Sequence, residues 1–393
     1  MILRHSNKHT PALKMWPLLI ALGIAPIGVI AQLCDNSGAA VRGQQDIDAL
    51  AQNCTSLRWS LPIDDQFSGP FVLPNIVNIT YGVDDEYGYP VRITSFDMPD
   101  LENAGGIDLS PLPVLESWSV PKLSSIGYIL LDIPSHLELL QFPALREAKN
   151  IRIAGNLTDI TFDALETAST GIEITNSDQP LVYPAQTRMN ISFPVLESAR
   201  KVNFQGNFSS LSLPQLSTLG ATDEPPDEVT PSYIYIRGPP VSFDLPELTS
   251  VGGGLIVVGN ITSLSLPRLK SVSGTLDISA NLPLSIDLPL ESAKEIILHG
   301  EIESVSLPNL RNWTRLSLTS AVGLDCDDFL SDFSDRSSDS AQGEVTCHSY
   351  DSGEGSGSGT GSGEDDLGTR ADVDIGHSLA AAVAGMMLLH VLF

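Results

Sequence analysis

The chain has 393 residues, with 48 acidic against 21 basic side chains, which gives a formal net charge of −27. A nucleic-acid-binding protein needs a basic face to neutralise phosphates, so this composition argues against a nucleic-acid partner. The acidity fits a solvated extracellular surface, and the acids show no calcium-loop spacing.

The first 31 residues have the composition of a secretory signal peptide. Basic Arg4, Lys8 and Lys14 precede an apolar run over residues 15–30, and the run ends in small residues at Ala31. This order predicts cleavage after Ala31. The alternative, an uncleaved anchor helix, is less favoured because the run is short and contains two prolines.

A short motif recurs through residues 32–350, which we predict to be one ectodomain. It consists of an apolar residue, a proline, any residue and a leucine, as in Leu245-Pro246-Glu247-Leu248 and Leu266-Pro267-Arg268-Leu269. The prolines at 246, 267, 289 and 308 are spaced by 21, 22 and 19 residues. A period near 20 predicts a solenoid of stacked turns.

The residues between the prolines alternate as in half-buried strands, for example Leu264-Ser265-Leu266. Gly-Asn pairs at 155–156, 206–207 and 259–260 are predicted to form tight corners. The fold class predicted is mainly β: a right-handed β-solenoid, either a β-helix or leucine-rich-repeat-like. The turns around Pro99, Pro113 and Pro121 are expected to be irregular, with insertions at 177–190 and 221–240.

Four cysteines lie at the two ends of the repeat region: Cys34, Cys54, Cys326 and Cys347. A solenoid exposes its core at both ends, so its ends need caps, here predicted over residues 32–60 and 320–350. Three disulfide pairings are possible, and Cys34–Cys54 with Cys326–Cys347 is favoured because it keeps partners local. A metal site is disfavoured, since no CxxC spacing or nearby histidine is present.

Seven Asn-x-Ser/Thr sequons are candidate N-glycosylation sites. Three of them occupy the Gly-Asn corner, so they should lie along one edge of the rod. The seven asparagines are Asn53, Asn78, Asn156, Asn190, Asn207, Asn260 and Asn312.

No catalytic motif was found, and we expect no catalytic residues, cofactor or metal. Three histidines, His136, His299 and His348, fall outside the two terminal signals and are expected to be structural or exposed. The enzyme alternative is a β-helix glycosidase or transglycosylase, which needs two converging carboxylates. The outward candidates for that role are Asp244, Asp277 and Asp287.

The C-terminal residues have the order of a glycosylphosphatidylinositol (GPI) anchor signal. An acidic Gly/Ser-rich stalk over 351–368 is followed by a polar spacer and a terminal apolar tail, with residues 369–393 predicted to be removed. The attachment candidates are Gly361, Ser362 and Gly363. The alternatives are a membrane-spanning tail or a secreted one, although the apolar run is short for a span.

The order of these features resembles the fungal GPI-anchored cell-wall organisation proteins, the extracellular-mutant and sporulation-specific group. The ectodomain of that family is similar to the receptor L domain, a leucine-rich-repeat-like fold. The resemblance implies a non-enzymatic glycoprotein at the outer face of the plasma membrane or in the cell wall, supporting wall integrity. Wall polysaccharide or wall proteins are its expected partners. The alternative function is recognition of a peptide or glycan, for which an exposed aromatic patch near Tyr233 and Tyr235 would be diagnostic.

Overall fold

The computed structural model describes residues 34–35, 40–85, 88–179, 183–184, 187–220, 231–334 and 343–350. All of them belong to one compact unit, Met1–Ser352, and none to the C-terminal unit Gly353–Phe393. The predicted signal peptide, the stalk, the three attachment candidates and the apolar tail therefore lie outside the described residues.

The described elements are mostly short parallel strands, with a helix near each end. The helices are α1 (Gln44–Asn53) and α2 (Cys326–Ser334). The strands are β1 (Ser56–Leu57), β2 (Ser60–Ile63), β3 (Ser68–Val72), β4 (Asn78–Ile79), β5 (Gly82–Asp85), β6 (Arg92–Asp97), β7 (Asn103–Leu109), β8 (Ser117–Ser119), β9 (Ser125–Gln141), β10 (Glu147–Thr161), β11 (Thr167–Gln179), β12 (Tyr183–Pro184), β13 (Met189–Ser192), β14 (Ser198–Ala199), β15 (Val202–Ser212), β16 (Thr218–Leu219), β17 (Ser232–Asp244), β18 (Ser250–Val251), β19 (Leu255–Ser265), β20 (Ser271–Asp287), β21 (Ser292–Ser306), β22 (Arg315–Ser320) and β23 (Glu344–Ser349).

Successive turns of the chain pair in parallel to form a β-solenoid, which confirms the predicted fold class. In one ladder, Ile151 pairs with Ile172, and Ile172 pairs with Val202 in the following turn. Twenty strands join one continuous sheet, while β3, β6 and β8 form a smaller one. The pairing of β11 with β12 is antiparallel. Apolar side chains from every turn point inward and merge into one core.

The proline motif forms a tight turn at the same place in each coil. The Leu248 amide donates to the Leu245 carbonyl at 3.3 Å, and both leucine side chains are buried. Such a turn favours proline at its second position, because the ring fixes φ there. The backbone amides of Leu101 and Leu123 donate in the same way to the carbonyls of Met98 and Val120. Pro99 and Pro121 are thus regular members of the column, contrary to expectation, while Pro113 lies outside the column, in the segment between β7 and β8.

The Gly-Asn pairs form the predicted corner between the two main ladder segments of a coil. Gly155, Gly206 and Gly259 have φ of +150°, +146° and +126°. A Cβ on Gly259 would lie 2.0 Å from the Ile236 carbonyl oxygen of the preceding turn. Glycine is needed because both the backbone conformation and the close approach exclude a side chain.

Aromatic rings stack through the core along the rod. Phe96 stacks on Trp118 with ring centroids 4.4 Å apart, and Phe142 stacks on Phe162 at 4.8 Å. Many of these rings are the apolar residue that precedes the turn, as in Phe142-Pro143 and Phe162-Asp163. The stack therefore repeats with the period of the motif and ties consecutive coils together.

A helix and a disulfide lie near each end of the solenoid. Cys34 bonds Cys54 beside α1, and Cys326 bonds Cys347 between α2 and β23, as predicted. The α1 helix buries Ile47, Leu50 and Ala51. At the other end, Phe329 and Phe333 of α2 are buried, and Phe333 contacts the ring of Trp313. These helices supply the apolar covers that open solenoid ends need.

Candidate functional site

One surface of the solenoid contains none of the seven sequons, and we call it the open face. The register places its strand segments side by side along the rod. The open face consists of the outward side chains of residues 82–85, 106–109, 128–132, 150–154, 171–175, 202–205, 232–235, 255–258, 275–279, 295–299, 315–319 and 344–348.

Side chains along each strand segment point alternately into the core and outward, and the outward ones form this face. Ile234 and Val257 are buried, so Tyr233, Tyr235, Ile256 and Val258 point outward and are partly exposed. Tyr233 pairs in register with Ile256, and Tyr235 pairs with Val258. Ile297 lies outward two turns further along, opposite Asp277. We call Tyr233, Tyr235, Ile256, Val258 and Ile297 the tyrosine patch.

Polar groups border the tyrosine patch on both sides. Asn203 and Gln205 pair with Tyr233 and Tyr235 from the preceding turn. The Arg237 guanidinium stacks on the Tyr235 ring, 4.6 Å from its centroid. Burial, with the charge of Asp277 as a smaller cause, raises the pKa of the Tyr233 hydroxyl. Tyr233 therefore stays neutral and available as a hydrogen-bond donor at physiological pH.

Asp277, Ser279 and His299 form a group of close polar contacts, and Asp277 lies in register between Ile256 and Ile297. The His299 Nε2 lies 3.3 Å from Asp277 Oδ1, and its Nδ1 lies 3.3 Å from the Ser279 hydroxyl. The order acid, histidine, serine resembles a nucleophilic triad. However, the backbone amides of these parallel strands take part in the ladder, so they offer no oxyanion hole beside Ser279. We interpret the group as a structural bridge between two turns.

The carboxylates expected for a glycosidase do not converge. Asp277 lies on the open face. Asp244 and Asp287 lie in ladder segments beyond the glycine corner, where they pair with Ser265 and Ser306. Glycoside hydrolysis requires two carboxyl groups flanking one bond, and these three do not provide that arrangement.

A second carboxylate group lies nearer the N-terminal end of the open face. Asp84 and Asp108 are adjacent in register, and the Ser60 hydroxyl hydrogen-bonds Asp84. Burial, then the charges of Asp85 and Asp84, raise the pKa of the Asp108 carboxyl. Burial also raises the pKa of Asp84. The Tyr128 ring lies over Gly106, where a Cβ would clash with it.

The corner asparagines line one edge of the rod, as expected from their shared position. Gly206 and Gly259 both pair with Ile236, so Asn207 and Asn260 follow the same column. Their side chains join successive turns: Asn281 donates to Asn260 Oδ1 at 3.2 Å, and the Thr187 hydroxyl donates to Asn156 Oδ1.

Among the other sequons, Asn53 ends α1 and Asn78 is in β4. Asn190 donates to Asp159 at 2.8 Å, and Asn312 is exposed. Glycan occupancy stays a prediction for all seven.

The other two histidines of the ectodomain lie in two different strands. His348 is exposed and pairs with Thr319, while His136 lies within β9. In the described ranges, no group of three or more His, Cys, Asp or Glu side chains could hold a metal ion. Two shallow depressions of about 470 and 490 Å³ are present. One contacts Glu197 and Glu247 and the other Asn53 and Asp100, so both lie away from the tyrosine patch.

The aliphatic part of the patch was not predicted from the sequence. Leu255-Ile256-Val257-Val258 is a continuous apolar run, so alternation alone does not say which residues point outward. The proline motif could have decided it. Leu255 and Leu276 each follow their proline by nine positions, which gives Ile256 the phase of the polar Asp277.

Helices that could span a membrane are not found in the described part of the chain. No protein-family model matches the chain, and no solved structure matches it. The chain is similar to a protein of Arthroderma benhamiae named "Cell surface GPI-anchored protein". The two are 25% identical over 357 residues, which cover 84% of this chain and 86% of that protein.

Proposed function

We propose that this protein is a non-enzymatic, GPI-anchored glycoprotein of the cell surface that supports fungal cell-wall organisation and integrity. The observation that carries the proposal is the similarity along most of its length to a protein named as cell-surface and GPI-anchored. The predicted signal peptide, the sequons and the anchor signal of this chain support the same location.

The β-solenoid suits such a role physically. Stacked strands and aromatic rings make a stiff rod, and a disulfide lies near each end. A Gly/Ser-rich stalk is predicted over residues 351–368, between the ectodomain and the anchor signal. Sugar chains on the corner asparagines would lie beside the open face.

The proposal that the protein is not an enzyme is supported by the geometry of the polar groups. Asp277 lies on the open face, whereas Asp244 and Asp287 lie on the ladder beyond the glycine corner, and the Ser279–His299–Asp277 group lies on a parallel ladder. Retention of wall function by a Ser279→Ala and His299→Ala variant is the expected result. Loss of wall function in a variant that folds and reaches the surface would favour catalysis.

The anchor is tested on intact cells that express the full chain with a tag inserted after Ala31. Phosphatidylinositol-specific phospholipase C should release the tagged protein, and deglycosylation should lower its mass. A protein that stays in the membrane and dissolves only in detergent would support a spanning tail instead. Release that requires glucanase would place the protein in covalent linkage to the wall.

A second candidate function, recognition, is favoured by the tyrosine patch. Exposed apolar area bordered by polar groups is typical of binding surfaces, and tyrosine and arginine are enriched there. This function is compatible with the first, because a wall protein can act by binding a component of the wall.

A further inference from the structure

We infer that the tyrosine patch binds an extended neutral polysaccharide. The inference rests on the proposed function for the source of the ligand, namely the polymers of the wall. The physical argument for the inference does not depend on that function. It rests on the chemistry, the charge and the shape of the open face.

The chemistry of the patch matches that of a sugar ring. A pyranose has apolar C–H faces and a rim of hydroxyl groups. Tyr233 and Tyr235 are two residues apart on one strand, so their rings stand about 7 Å apart along it. Each offers an apolar ring with a polar tip. Ile256 and Val258 extend the apolar surface in the next turn, and Asn203 and Gln205 supply amides in the preceding one.

The charge distribution favours an uncharged ligand over an anionic one. The five residues of the patch are uncharged. Of the ionisable groups around them, Arg237 stacks on the Tyr235 ring, and Asp277, in register between Ile256 and Ile297, contacts His299. The whole chain carries a net charge of −27. An anionic polymer, an anionic membrane or a second copy of this chain would therefore be repelled.

The shape selects a polymer over a small sugar. Small ligands bind in concave pockets that bury most of their surface, and no residue of the patch lines either of the two depressions described above. The open face is a parallel ladder in which neighbouring turns repeat about every 4.8 Å. A polysaccharide can meet such a face at several weak contacts at once, which raises its overall affinity above that of any single unit.

The corner sequons lie beside the open face rather than on it. Asn207 and Asn260 follow the corner glycines, one column beyond the outward residues of the open face. Glycans on them would line the edge of the face. The same placement argues against a large protein partner, whose contact would have to extend past that edge.

The test uses the full-length protein, purified in detergent, in affinity electrophoresis through gels that contain a soluble polysaccharide. The polymers are a β-1,3-glucan, a soluble β-1,4-linked N-acetylglucosamine polymer and an α-mannan. At least one of them should retard the wild-type protein. The trisaccharide of that polymer should compete at least about a hundredfold more weakly, as multivalent contact requires.

The variant that tests the site is Tyr233→Ala with Tyr235→Ala, which should weaken retardation by about tenfold or more. The variant with both tyrosines changed to phenylalanine keeps the rings and should bind within about threefold of the wild type. Tyr350→Ala is the matched control, because Tyr350 is 67% exposed and lies outside the open face. Thermal unfolding checks that each variant is folded.

The inference is overturned if none of the three polymers retards the folded wild-type protein, or if the alanine variant binds as well as the wild type. It is also overturned if the trisaccharide competes as well as the polymer, since that requires a pocket. Polymer binding by a protein that phospholipase fails to release would contradict the anchor while leaving this inference intact. A protein that phospholipase releases but that binds none of the polymers would support the anchor and overturn this inference.

Discussion

The ring of Phe162 stacks on the ring of Phe193 in the next turn, with centroids 4.9 Å apart and planes within 7° of parallel. Each ring is the apolar residue that precedes a tight turn, in Phe162-Asp163 and Phe193-Pro194. The stack holds consecutive coils in register even here, where the chain between the two turns contains an insertion. This register also sets the positions of the outward residues on the open face.

Replacing Phe162 by alanine should lower the free energy of unfolding by about 3–5 kcal/mol, because it opens a cavity in a fully buried stack. Urea unfolding of the full-length protein measures the change. Leu139→Ala is the control: Leu139 is 42% exposed, so its loss should cost about 1 kcal/mol or less. Equal effects of the two changes would contradict the described stack.

Replacing Gly259 by alanine should destabilise the corner, because its φ is +126° and the new Cβ would meet the Ile236 carbonyl. Backbone strain alone costs about 1–3 kcal/mol at such a position. Gly43→Ala is the matched control, since no atom lies within 4 Å of its added Cβ. The melting temperature should fall for Gly259→Ala and change little for Gly43→Ala. An unchanged melting temperature for Gly259→Ala would contradict the close approach between Gly259 and the Ile236 carbonyl.

Replacing Asp108 by asparagine should change how stability depends on pH. Burial and the charges of Asp85 and Asp84 raise the pKa of the Asp108 carboxyl above its ordinary value. The folded state therefore holds this proton more tightly than the unfolded state, and stability falls as pH rises from the ordinary carboxyl range through the raised pKa. The Asp108→Asn variant has no carboxyl at this position and should not lose stability in this way. The difference in melting temperature between the variant and the wild type should therefore grow, in favour of the variant, as pH rises.

The control for Asp108 is Asp287→Asn, which removes an exposed carboxylate from another ladder segment. Its curve of melting temperature against pH should run nearly parallel to that of the wild type. If the Asp108 variant also ran parallel, the carboxyl would not be perturbed by its surroundings.

The two disulfides should contribute independently. Their cysteines are 20 and 21 residues apart, and loops of that length correspond to about 3 kcal/mol each in the chain-entropy account. Each pair is replaced by alanine, alone and together, and unfolding is measured in denaturant. Because the pairs lie near opposite ends of the rod, the losses should add. A combined loss clearly different from the sum would indicate coupling through the solenoid.

Much of the fold was readable from local patterns. The turn motif, the corner glycines and the local cysteine pairs each involve residues close in the chain, where proline geometry, positive φ and short loops act directly. Residues such as Pro246 and Gly259 therefore revealed their roles without any neighbour from another turn. The expectation of irregular turns at Pro99 and Pro121 was wrong because their spacing was judged together with Pro113. That proline lies in the segment between β7 and β8, outside the proline column.

The candidate site depended on contacts between turns. Tyr233 meets Ile256, and Asp277 meets His299, across about one repeat of sequence. The sequence by itself determined that this protein is a chain of about twenty-residue coils with locally closed ends, because those features follow from short-range backbone constraints. Only the tertiary structure decided which side chains share a face, because insertions change the spacing between turns and the register follows core packing rather than residue count.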